Sequence, residues 1–152
     1  MEDIKERKNL AWQGLFYSIQ RIDLLIISIS GAGIYLTLEM MKYLTGKHIE
    51  IYLFIKFAGV FFVFAIILNF VSQIFGKKSN EFDYLMCLAK IEIEENLDDA
   101  NKSDIKKYDD LAQKYDDLAQ KYSNITEYIN YFSIGFMFGG LLSLMYYFTF
   151  IF

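Results

Sequence analysis

Two charged residues sit where charge is costly. Glu39 and Lys56 both fall inside long apolar runs, and an ionised side chain in an apolar membrane segment is expensive and commonly functional. Glu39 lies near the end of one run and Lys56 near the start of the next, so antiparallel neighbouring helices set them at similar depth. They either pair, within the chain or across subunits, or snorkel separately to the outer interface. Farther along, Asn69, Ser72 and Gln73 recur at helical spacing and form one polar stripe. Asp23, Ser28 and Ser30 lie opposite it, near the inner end of the first run. Such a set lines a water path through an assembled bundle, or it hydrogen-bonds one helix to another. Gly135, Gly139 and Ser143 are each four apart, with Gly140 beside them. That small-xxx-small spacing lets helices pack closely, and "SISGAG" at 28–33 is a second cluster of small residues.

Catalytic chemistry is not legible. His48 is the one histidine, and it sits in a short loop without the partners of a nucleophilic triad. No His/Cys cluster has zinc spacing. The Gly-Ala-Gly at 31–33 is embedded in an apolar run and is not a phosphate loop. The acids of the central segment lack EF-hand spacing. Asn124–Thr126 matches a glycosylation sequon by chance, on a segment expected to face the cytoplasm. Cys87 is the sole cysteine, which rules out an intramolecular disulfide. A net charge of −4 argues against a nucleic-acid partner held through phosphates. The expectation is no enzyme, no cofactor and no metal.

The elements that position these residues follow from apolar length. About 20 apolar residues of helix cross a hydrocarbon core. Three runs meet that requirement, at 22–44, 51–75 and 131–152. Three buried helices of a soluble protein are the alternative, but 152 residues leave no soluble core large enough to hide such runs. Lys5, Arg7, Lys8 and Arg21 precede the first run, and Lys77, Lys78, Lys90, Lys102, Lys106, Lys107, Lys114 and Lys121 separate the second from the third. Only Lys42 and Lys47 flank the 45–50 loop. The location expected is a bacterial inner membrane, in which the positive-inside rule places the N-terminus and residues 76–130 in the cytoplasm and the loop and C-terminus outside.

Residues 1–21 carry Ile4, Ala11, Trp12, Leu15, Phe16 and Ile19 on one helical face, with Trp12 and Tyr17 suited to the headgroup zone. The segment is an interfacial helix or an extension of the first span. Residues 81–97 place Phe82, Leu85, Met86, Ala89, Ile93 and Leu97 on one stripe, with Ser79 or Asn80 as N-cap and Asn101 or Ser103 capping the next helix.

The next helix contains "KKYDDLAQKYDDLAQKYSN" at 106–124, in which one heptad repeats. Tyr108, Leu111, Tyr115, Leu118, Tyr122 and Ile125 alternate at spacings of three and four as a seam flanked by Ala112 and Ala119. Asp109, Asp110, Asp116 and Asp117 lie outside it. The seam needs a partner helix, either 81–97 of the same chain or another copy. With no Gly or Pro between Lys102 and Ser133, one helix from about 104 to 152 would be roughly 70 Å long.

The fold expected is therefore an all-α integral membrane protein. It comprises an interfacial helix at 1–21, a transmembrane hairpin at 22–75, a cytoplasmic helical stem at 76–130 and a third span at 131–152.

This layout resembles the SLATT family, two-transmembrane effectors associated with prokaryotic nucleotide-signalling defence genes. "ERKNLAWQGLFYSIQRIDLLIISIS" corresponds to its leading helix, "LNFVSQIFGKKSNEFDYLMCLAKIEIEE" to the exit from the hairpin, and "LAQKYDDLAQKY" to its cytoplasmic helices. The likeness covers about residues 5–125 and has no counterpart of the third span. It implies a membrane-disrupting or pore-forming effector in antiphage defence, switched by a soluble protein or nucleotide signal. The function expected is an oligomeric membrane effector or channel, with lipid and further copies of itself as partners. The alternative is a non-conducting accessory or scaffold subunit of a larger membrane complex.

Overall fold

The computed structural model describes residues 2–48, 50, 53–95 and 102–150, with side chains for 20–48, 50, 53–93 and 105–149. These residues are all-helical, in the order α1 (Glu2–Gly46), α2 (Leu53–Glu95) and α3 (Lys102–Phe150). All three helices are long and apolar enough to cross a membrane, as the apolar runs predict. With no proline, no backbone donor is missing along them.

α1 continues unbroken through residue 21, where the sequence admitted a separate interfacial helix or an extension. The apolar face assigned to Ile4, Trp12 and their neighbours lies outside the described side chains, as do Leu97 and the Asn101 and Ser103 caps. One expectation is corrected. Ser79 and Asn80 do not cap a new helix, because α2 runs straight through them. Ser79 instead donates from Oγ to the Ala119 carbonyl at 2.8 Å.

A tight turn ends α1. Lys47 N donates to the carbonyls of Tyr43 and Leu44, each at 3.2 Å, and His48 N donates to Thr45 at 3.1 Å. His48 adopts φ 58°, the left-handed conformation that commonly closes a helix C-terminus and favours glycine.

The chain divides into two compact units, residues 1–69 with 132–152, and residues 70–131. The first is a three-helix bundle stacked in layers to which all three helices contribute. Ile26, Ala65 and Met137 form one layer. Ala58, Phe62 and Leu144, with Ile34 against them, form the next. Leu44, Ile55 and Tyr147 form the last. Residue numbers rise together along α1 and α3 and fall along α2, so α2 is antiparallel to both. The second unit is an antiparallel α2/α3 pair, in which Phe75 stacks on Tyr122 and Phe82 on Tyr115.

In the bundle, large apolar side chains face outward as well as inward. Its buried residues include Ser30, Thr37, Asn69 and Ser133, whereas Leu24, Leu38, Leu53 and Leu142 are each about 60% exposed. Soluble domains rarely leave apolar surface of that extent uncovered.

Candidate functional site

The polar groups of the bundle are held by the helices around them. Asn69 lies on the inner face of α2, fully buried, and its Nδ2 donates to Oδ1 of Asp23 on α1 at 2.8 Å. Ser133 on α3 is equally buried and donates to the Ala65 carbonyl on α2 at 2.7 Å. Thr37 turns its hydroxyl back to the Ile34 carbonyl at 2.7 Å, a bond within its own helix. Ser30 is also fully buried, and its Oγ has no partner among the described residues. A polar group in an apolar interior is costly unless bonded, so the two cross-helix bonds fix the register of α2 against α1 and α3. Asp23 and Ser133 supply these contacts. Ser133 escaped the sequence reading, because a lone serine in an apolar run carries no periodic signal.

The sequence-selected polar stripe divides. Asn69 is in the bundle core, and Ser72 is buried in the second unit. Gln73 is exposed, and so is Ser28 on α1. Asn69 thus makes an interhelical bond, to Asp23 on α1.

The charges also separate. Glu39 lies 3.6 Å from Lys42, one helical turn along α1. Lys56 is exposed on α2, and among the described residues it has no carboxylate partner. An exposed i,i+3 pair contributes little, so Glu39 and Lys42 report a surface contact.

The glycines act as sockets for aromatic rings. Phe62 of α2 is fully buried between Gly33 of α1 and Gly140 of α3. A methyl on Gly140 would come within 2.8 Å of the Phe62 ring, and one on Gly33 would overlap it outright. Gly139 meets Phe61 in the same way, at 3.1 Å. Gly135 faces open space, and Ser143 is half-buried. Of the small-residue stripe, Gly139 and Gly140 therefore receive rings, and Gly135 takes no part in this packing.

In the second unit part of the seam packs on α2 of the same chain. Phe82 stacks between Tyr115 and Tyr122, with ring centroids 6.3 and 5.5 Å away, and Lys78 lies 5.6 Å over Tyr122. The most buried apolar positions are Ala112 and Ala119, one heptad apart, and Ala89 on α2. Tyr115, Leu118, Tyr122 and Ile125 are half-buried beside them, while Tyr108 and Leu111 are exposed. The contact line therefore runs one residue beyond the predicted a/d seam. Small side chains let the two backbones close in, and the tyrosines wrap their edges.

Among the described residues, no group of three or more His, Cys, Asp or Glu is placed to hold a metal ion. Comparison with protein-family models, curated proteins and solved structures gives no match to this chain.

Proposed function

We propose that this chain is a membrane-embedded, non-conducting scaffold. Its three-helix bundle sits in the bilayer, and its paired stem stands in the cytoplasm as a docking element for a larger membrane complex. The apolar exterior supports the membrane setting, because lipid is the solvent in which Leu24, Leu38 and Leu142 are at home. The Asn69–Asp23 bond carries the non-conducting part. A side chain that would otherwise wet a path is bonded between α1 and α2, and the Ile26, Ala65 and Met137 layer fills the interior next to it. From Tyr115 to Tyr122 the stem seam packs on the chain's own α2, so that part of it needs no second copy.

The test is reconstitution into dye-loaded liposomes. Retention of dye over a range of protein densities fits the scaffold. Dye release would instead place the chain with the conducting, SLATT-like effectors that its layout resembles.

A further inference from the structure

Lys56 stands at one end of an open groove between α1 and α2, with a volume of about 360 Å³. Ile34, Leu38 and Met41 line its α1 side, and Val60, Val63 and Phe64 its α2 side. Thr37 also borders it, but its hydroxyl is turned to its own backbone. The walls therefore offer a ligand almost nothing but hydrocarbon, and Lys56 is the one charged residue among them.

Three observations identify the occupant. First, the groove follows α2 from Lys56 to Phe64, about 12 Å at 1.5 Å per residue, close to the roughly 15 Å depth of one leaflet's hydrocarbon. Second, Lys56 lies in the first turn of α2, which begins at Leu53, so the charge is at the interfacial end and the hydrocarbon walls lead inward. Third, the neighbouring cations are engaged. Lys42 is with Glu39, and Lys47 lies 4.7 Å over the Tyr43 ring. Lys56 has no such partner among the described residues.

We propose that this groove holds one acyl chain of an anionic phospholipid, with the lipid phosphate accepting hydrogen bonds from Lys56 Nζ. The ammonium and phosphate form a charge-assisted pair at the interface, and the chain fills the groove that the helices leave open. This rests on the membrane reading above and is independent of whether the bundle conducts.

Native mass spectrometry of the full chain tests it, after release from neutral detergent with phosphatidylglycerol and phosphatidylcholine in equal amounts. The expected result is one retained phosphatidylglycerol per chain, preferred about fivefold over phosphatidylcholine. Lys56→Gln brings the two lipids to parity, Val60→Trp fills the groove and loses both, and Lys47→Gln keeps the preference. Equal retention of the two lipids by the unaltered chain overturns the proposal. So does an unchanged preference in Lys56→Gln, or a lipid-free dimer with the groove closed against a second copy. A chain that stays in solution without detergent would fail the membrane reading itself, which is a separate outcome.

Discussion

Asn69 on α2 and Asp23 on α1 are joined by a 2.8 Å hydrogen bond, and Asn69 is wholly buried. The bond gives a polar residue in an apolar run a structural role. Without it, the two helices would lose a polar contact made in the apolar interior. Asn69→Ala is expected to lower the unfolding free energy by about 1–2 kcal/mol, read by titration with a denaturing detergent in mixed micelles. Asn69→Asp should cost more, because it sets two carboxylates side by side. Equal stability for all three proteins would remove the bond's role.

The Phe62 socket makes a positional prediction about glycine. Gly140→Ala and Gly33→Ala each force the buried ring to move and should destabilise the bundle by about 1–3 kcal/mol. Gly135→Ala adds its methyl in open space, and should be neutral or stabilise by up to about 1 kcal/mol through helix propensity. A smaller residue at position 62 should recover part of the loss, so Phe62→Leu in the Gly140→Ala background is the control. The same micellar unfolding assay reads all four.

His48 carries a backbone conformation that suits glycine. His48→Gly should stabilise the turn by about 1 kcal/mol, visible as slower amide exchange at Lys47 and residue 48. A loss of stability would show that the His48 side chain makes a contact that outweighs the backbone term.

In the stem, Ala119 is the tight point. Ala119→Leu should push α2 and α3 apart and cost about 1–3 kcal/mol, with faster amide exchange across 75–93 and 108–126. Leu111→Ala should cost less, since Leu111 is already 36% exposed. The reverse order would restore the tyrosine–leucine line as the centre of the seam.

The sequence made the three helices plain, because apolar length is a property of composition alone. It also selected Asn69 and Gly140, through spacing in one case and residue size in the other. It could not say what each one meets. The partners of Asn69 and Ser133, namely Asp23 and the Ala65 carbonyl, depend on the axial register of three helices, and no local pattern encodes that register. The shift of the stem seam onto Ala112 and Ala119 has a similar cause. Heptad bookkeeping ranks positions by hydrophobicity, whereas two closely approaching helices select small size at the contact line. Glu39 met the nearest cation on its own helix, Lys42, because an i,i+3 neighbour is always within reach.

The most direct test of the account is water access to the centre of the bundle. Ser30 is fully buried, and Ser30→Cys changes its size little. In intact proteoliposomes, with Cys87→Ser to remove the exposed native thiol, a membrane-impermeant maleimide should leave the Ser30→Cys chain unlabelled while it labels Cys87 in the unaltered chain readily. Labelling at position 30 at a rate approaching that of Cys87 would mean that water reaches the bundle's interior, and would contradict the solid bundle on which the scaffold reading depends.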